Sequence, residues 1–263
     1  MKKLIFVVLV GMAFYCLGTT GDLSEVAPEG KVYSYKKQGG VAHEIEIHFP
    51  KDHDLSKPVP GIIMFHGGGW SKGDRVSFRY LCHYFASRGL VAATANYRLG
   101  KGKRICITDA KSAIRWYKQN AVKLGVDSKR IIAGGGSAGG HIALLATTNP
   151  GLNDPSDSKE YDTSVVAYLL FNPALKPKKD MEVTFEKHIK AAMPPMIAFW
   201  GTKDNWLTGW KSACEKMQSL ENESIEWWTA QGQSHGFFKR RPWKDLTIIA
   251  ADKFLKKYGL IEG

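Results

Sequence analysis

What the sequence is short of narrows the field first. It has four cysteines in 263 residues. Cys16 sits in an N-terminal apolar run, which leaves Cys82, Cys106 and Cys214 for the body of the protein. Three thiols cannot close a disulfide framework, and their spacing matches no zinc motif. Buried, unreactive thiols are the expectation, a single bridge with one thiol left over stays open, and no metal site is implied. No uninterrupted apolar run reaches the roughly 18 residues that a membrane-spanning helix needs. No glycine-rich stretch is followed by the Lys-Ser/Thr of a phosphate loop. No interleaving of aromatic and basic residues marks a nucleic-acid surface, so nucleic acid is not expected as a partner. Internal repeats and linkers are also missing, and the length suits one large domain with a full core.

What is present begins at the N-terminus. Met1-Lys2-Lys3 precedes an uncharged apolar run from Leu4 to Leu17, followed by small and polar residues. That is the layout of a secretory signal peptide, residues 1–18, with cleavage near Gly18 or Thr20. Export to the periplasm or the exterior follows as the expectation, with no stable membrane anchor. Phe14 and Tyr15 are too bulky for the residues that precede a lipid-modified cysteine. The formal net charge is +12, which in an exported protein favours acidic polymers through long-range attraction. A solvated basic surface is the plainer account.

Residues 19–42 read as a lead-in too short to be a domain, and residues 43–263 as the domain itself. His43 to Phe49 alternates polar with apolar, as an edge strand does. The apolar runs 61–65, 90–95, 130–133, 165–171 and 195–200 suit strands buried on both faces, and 225–229 reads as a further strand. Between them, 74–88, 108–124, 141–147, 208–220 and 243–258 carry helical spacing. The basic stretch 176–193 is expected to be partly helical and to lie over a site. Strands alternating with helices imply an α/β fold, a mostly parallel sheet with helices on both faces.

In such a sheet, functional residues gather in the loops beyond the strand C-termini. Gly135-Gly136-Ser137-Ala138-Gly139 fits G-x-S-x-G, a strand-to-helix turn that lifts a nucleophilic serine above a sheet. Its glycines give the backbone room to bend and approach closely. A serine needs a base. Of the eight histidines, His235 alone stands in a mobile-looking loop after a late strand; His66 is expected to hold backbone. Asp204 follows the strand 195–200 and a Gly-Thr turn, whereas Asp154, Asp157, Asp162 and Asp180 lie in polar loops. The order Ser137, Asp204, His235 thus makes nucleophile, orienting acid and base. His66-Gly67-Gly68-Gly69 supplies glycine N–H groups, and Gly67, Gly68 and Ala138 are the expected donors to a developing oxyanion.

His66-Gly67-Gly68-Gly69-Trp70, Asn96-Tyr97-Arg98-Leu99, Gly136-Ser137-Ala138-Gly139-Gly140-His141, Gly201-Thr202-x-Asp204 and Ser234-His235-Gly236-Phe237 together resemble the α/β-hydrolase superfamily. Within it, the chain is similar to the HGGG-type esterase branch, which includes hormone-sensitive-lipase-like enzymes and bacterial carbohydrate esterases such as acetylxylan and feruloyl esterases. The resemblance implies a single-domain α/β-hydrolase fold. By it, Ser137 is nucleophile, Asp204 acid and His235 base, with no cofactor. Two departures stand out. Residues 19–42 are too short for a helical cap, and Gly136 replaces the Asp or Glu that many relatives carry before the nucleophile. A small or absent cap suits acyl groups on a polymer. Trp70, Trp206, Phe237 and Phe238 are placed to stack on sugar rings, although core packing would serve them equally. Lys239-Arg240-Arg241, with Lys176, Lys178 and Lys179, would favour an anionic glycan. The leading expectation is a secreted serine carboxylester hydrolase that removes small acyl groups, acetyl first, from a polysaccharide such as xylan. The alternatives are a feruloyl or general short-chain carboxylesterase acting on a small ester, and a catalytically inactive basic glycan-binding protein.

Overall fold

The computed structural model describes residues 27–176 and 181–262. The expected signal peptide (1–18), Lys178, Lys179 and Asp180 lie outside the described residues. Eight strands build one sheet: β1 (Lys31–Gln38), β2 (Val41–His48), β3 (Val59–Phe65), β4 (Val91–Ala95), β5 (Val126–Gly136), β6 (Ala167–Phe171), β7 (Met196–Gly201) and β8 (Ile225–Ala230). Their spatial order is β1-β2-β4-β3-β5-β6-β7-β8. The pairs from β4 to β8 are parallel, and β2 alone runs against its neighbours.

Period-two alternation sends each strand's side chains into two separate cores. Ile63 and Phe65 of β3, Ala133 of β5 and Leu170 of β6 face α2 (Lys103–Gln119), α3 (Ala121–Leu124), α4 (Ala138–Thr148) and α5 (Leu207–Ser219). Ile62, Met64, Ile132, Leu169 and Phe171 face α1 (Arg79–Ser87) and α6 (Trp243–Lys257). Because both faces are covered, the central strands read as unbroken apolar runs. No helix among the described residues is long and apolar enough to cross a membrane.

Several local readings change. Strand β5 runs from Val126 to Gly136 rather than over 130–133. The helix expected over 108–124 ends at Gln119, with the separate turn of α3, Ala121–Leu124, after it. The sheet starts before His43: β1 pairs with β2 through the Gly39-Gly40 turn and takes the edge position. Tyr35 is the one buried residue of β1, so its hydrophobic period is too weak to announce a strand, while its lysines protect an open edge. With β1 outside it, β2 becomes an interior strand. It buries Glu46, which accepts from Arg79 Nε at 2.7 Å and from the Gly30 N–H at 3.0 Å. Helix α2 starts at Lys103 rather than near Thr108, because Cys106, Ile107 and Ala110 already turn to the core while Arg104 stays in solvent. The 176–193 stretch forms only two single-turn 3-10 helices in its described part, Met181–Val183 and Phe185–Lys187, and the second packs on α4 and α5.

The polar loop 149–163 is tied down by ion pairs at the far side of α2. Asp157 accepts from Arg115 at 2.9 Å, Asp154 pairs with Lys36, and Asp162 with Lys118. Cys82, Cys106 and Cys214 are free and buried, and burial pushes the Cys106 and Cys214 thiols up to about 12. They stay protonated and poorly nucleophilic at neutral pH.

Candidate active site

Chain direction reverses its march across the sheet at β3, which lies between β4 and β5. The crevice beyond such a switch point is where an open α/β sheet binds ligands. Here the loops after β3, β5, β6, β7 and β8 converge on it.

The turn from β5 into α4 holds Ser137 at φ 52° and ψ −119°. For a residue with a Cβ that conformation costs about 1–3 kcal/mol and persists only where neighbours over-determine it. They do so here. The Ser137 N–H donates to Phe171 O at 2.9 Å, and Ser137 O accepts from Ala174 N at 2.8 Å and His141 N at 3.2 Å. Gly139 lets α4 press against β3, since a Cβ there would lie 1.9 Å from Phe65 O.

His235, in the loop after β8, stands between Ser137 and Asp204. Its Nδ1 lies 2.7 Å from Asp204 Oδ2, and its Nε2 lies 2.7 Å from Ser137 Oγ. An ionised carboxylate only accepts, so in the neutral ring Nδ1 carries the proton and Nε2 is left to accept from the serine hydroxyl. The Asp204 side chain is fully buried and that of His235 is 35% exposed. Asp204 is itself oriented, because Oδ1 accepts from the Trp206 N–H at 2.9 Å. The remaining histidines lie elsewhere: His48 meets Glu46, His53 the Leu124 carbonyl and His141 the Val183 carbonyl.

The His66-Gly67-Gly68-Gly69 loop leaves β3 directly beside the serine. A Cβ on Gly67 would sit 3.2 Å from Ser137 Cβ, so the two backbones touch. Gly68 has φ +123°, and a Cβ there would lie 1.9 Å from Lys72 O; no other residue type fits. His66 acts on backbone, as expected. Burial lowers its pKa, and the neutral ring donates from Nδ1 to Gly67 O at 2.7 Å while stacking on Tyr97. Tyr97 in turn donates its hydroxyl to His66 O at 2.8 Å. Ala138 opens α4, where an N–H has no acceptor inside the helix. Gly67 and Gly68 line the cleft beside Ser137, and Ala138 follows the serine as the first residue of α4.

Gly67, Gly68, Ser137 and His235 line a cleft of about 530 Å³. Trp70 and Trp206 form part of its wall, edge to face at 6.4 Å. Phe237 does not reach it. That residue is 1% exposed and packs on Trp228 and Trp243 in the core, while the neighbouring Phe238 lines the cleft. The 3-10 turn Phe237–Lys239 aims the two rings at right angles, which decides between them. Phe238 also accounts for Gly136. A Cβ there would meet Phe238 at 2.8 Å and Phe78 at 3.2 Å, so aromatic rings occupy the space beside the residue before the serine.

Asn172 carries no motif and was not among the expected site residues. It is fully buried at the end of β6 with φ 40°. Its Oδ1 accepts from the Gly236 N–H at 3.1 Å, and its Nδ2 lies 3.3 Å from His235 Nδ1. It thereby anchors the histidine loop from beneath. Its sequence trace is only an asparagine, a residue type that tolerates positive φ, directly after a buried strand, and Asn-Pro reads there simply as a turn.

A family model described as BD-FAE matches residues 45–168. The structure is similar to that of Thermogutta terrifontis esterase 2 phosphoramylated by tabun, at 35% identity and TM-score 0.86, covering 90% of this chain and 98% of that one. The propionate-bound form of the same esterase matches at 35% identity and TM-score 0.85, covering 90% and 97%. The probable carboxylic ester hydrolase LipM of Mycobacterium tuberculosis is 32% identical over 153 residues, 56% of this chain. The match spans 35% of that curated relative's length.

Proposed function

The chain belongs to the α/β-hydrolase superfamily, on its esterase branch, and on that basis we propose that it is a general short-chain carboxylesterase acting through Ser137, His235 and Asp204. The observation that carries this reading is the unbroken hydrogen-bonded line from Asp204 Oδ2 through both nitrogens of His235 to Ser137 Oγ. In the reaction, Ser137 Oγ attacks the ester carbonyl while His235 Nε2 takes its proton. Negative charge on the carbonyl oxygen is met by the N–H groups of Gly67, Gly68 and Ala138, each worth roughly 2.7–4 kcal/mol in the transition state. His235 then protonates the leaving alkoxide, and a water activated by the same nitrogen releases the acid from Ser137. The binding of propionate by the esterase relative supports a small acyl group.

Removal of acyl groups from a polysaccharide is the second reading. Trp70 and Trp206 in the cleft wall favour it, but each ring already carries a lysine over its face, Lys103 at 4.0 Å and Lys176 at 4.7 Å. That leaves less ring surface for a sugar, and the plain carboxylesterase comes first. Export through residues 1–18 belongs to the same proposal.

A fluorophosphonate probe followed by peptide mass spectrometry tests the catalytic reading: labelling is expected on Ser137 and nowhere else. An unlabelled, folded protein would instead be a binding protein on a hydrolase scaffold. With 4-nitrophenyl esters from acetate to octanoate, kcat/KM is expected to peak at the short end. Phe238→Ala should move that peak by about three or four methylene groups, roughly the volume of a phenyl ring. Phe238→Leu, which perturbs the core less, should move it part of the way. An unchanged profile in both variants would show that Phe238 does not set the chain-length limit.

A further inference from the structure

The cleft is charged on one side of the balance only. Among the described residues that line it, Lys72 and Lys239 are cationic and none is Asp or Glu. Both lysines are exposed, and among the described residues no carboxylate lies within 4 Å of either. Among the described residues, several arginines elsewhere on the molecule are paired with carboxylates, whereas exposed lysines such as Lys101, Lys123 and Lys211 are not. Arg75 meets Glu44 at 3.2 Å, Arg88 meets Asp252 at 2.7 Å, Arg98 meets Asp109 at 2.7 Å and Arg241 meets Asp245 at 2.8 Å. The pair with Asp245 removes Arg241 from the basic run 239–241 and leaves Lys239 as its member in the cleft.

The nearest acids in sequence are also committed. Asp74 accepts from the Val76 N–H at 2.9 Å, capping the turn before α1, and Asp204 is engaged by His235. Two further ammonium groups stand close by. Lys103 and Lys176 sit over Trp70 and Trp206, the two aromatic residues of the cleft wall. Lys72 and Lys239 thus put positive charge in the cleft itself, while the ionised member of the reacting groups, Asp204, is buried and engaged by His235.

We propose that the cleft selects esters whose alcohol or acyl part carries a carboxylate, with Lys72 and Lys239 as the residues that recognise it. This deepens the esterase reading and rests on it. The bond changes are those of ordinary hydrolysis: the acyl–oxygen bond breaks, the acyl group passes to Ser137 Oγ and then to water, and the extra carboxylate takes no part. Each exposed lysine about 6 Å from such a group in a water-like dielectric would favour it by about threefold. Added salt should erode that preference over the Debye length, about 10 Å at 0.1 M.

The test is a matched pair of substrates, 4-acetoxybenzoate and its neutral amide 4-acetoxybenzamide. At low salt the wild type should favour the carboxylate in kcat/KM by about tenfold, the combined effect of two lysines. The difference should reside in KM, and the ratio should fall toward one in K72Q/K239Q and in 0.5 M NaCl. Lys123→Gln, on α3 at the opposite end of β5, should keep the wild-type ratio. A wild-type ratio at or below one, or a ratio that the double variant leaves in place, would overturn the charge assignment while leaving the esterase reading intact. Failure to hydrolyse either ester would count against the esterase reading itself. Acetylated oligosaccharides with and without uronic acid then distinguish a glycan carboxylate from that of a small ester. The same ratio of about ten on the glycan pair supports a polymer source, and a preference confined to the benzoate pair assigns a small-molecule one.

Discussion

Replacing Ser137 with alanine is expected to lower kcat for short-chain esters by about 10⁶-fold, leaving only the residual rate that oxyanion donors and binding sustain without a nucleophile. Nothing near the cleft can take over. The next serines along its wall, Ser71 and Ser77, stand on other loops, and no histidine besides His235 is hydrogen-bonded to a lining serine among the described residues. The same position should show a stability effect of opposite sign. Ser137 holds φ 52° with a Cβ in place, and alanine keeps that Cβ, so Ser137→Ala should unfold close to wild type. Ser137→Gly removes the Cβ and should recover up to about 1–3 kcal/mol of strain. In a protein of this size that raises Tm by about 2–4 °C per kcal/mol. Calorimetry of the two variants separates the outcomes. A glycine variant no more stable than the alanine variant would mean that the turn stores no strain.

Asp204→Asn should cost about 10⁴-fold in kcat with little change in fold. The geometry gives the reason. Asp204 Oδ1 accepts from the Trp206 N–H and Oδ2 accepts from His235 Nδ1. Asparagine can keep the first bond only by turning its carbonyl to Trp206, which aims its NH₂ at His235. Nδ1 must then accept, the ring proton moves to Nε2, and Nε2 can no longer take the proton of Ser137. The imidazolium also loses the buried charge that stabilises it. Single-turnover kinetics should place the loss in acylation and deacylation alike, since both use Nε2 as base. A variant slowed less than tenfold would mean that another group orients the ring. Asn172, 3.3 Å from Nδ1, would be the first to examine.

How much of this was legible in the residues differs from element to element. Strands β3, β4, β6 and β7 were plain because each is a largely apolar run, whereas β5 was legible only over 130–133, since Asp127-Ser128-Lys129-Arg130 follow its first residue. Strand β1 was not, since an edge strand that buries one tyrosine has no pattern to show. The start of α2 was hidden by its basic first turn, although the buried positions Cys106, Ile107 and Ala110 continue its apolar face. Phe237 and Phe238 are chemically identical neighbours, and no local rule could tell which ring lines the cleft. Asn172 gains its role only because β6 lies between β5 and β7, so that its side chain meets a loop 63 residues further on.

The division follows from the range of the interactions. Ser137, Asp204 and His235, which the structure brings into one hydrogen-bonded line, could be singled out from residue order, because each needs only a strand, a tight turn and the right residue type at the strand's end. Local pattern encodes all three. The chamber around them is another matter. Trp70 and Lys72 after β3, Trp206 after β7, and Phe238 and Lys239 after β8 share one cleft only because the sheet reverses its strand order at β3. Whether a given lysine is neutralised or left facing a substrate depends on which carboxylates that packing brings near. The chemistry of the cut was written locally, and the surroundings that select the ester were settled by tertiary structure alone.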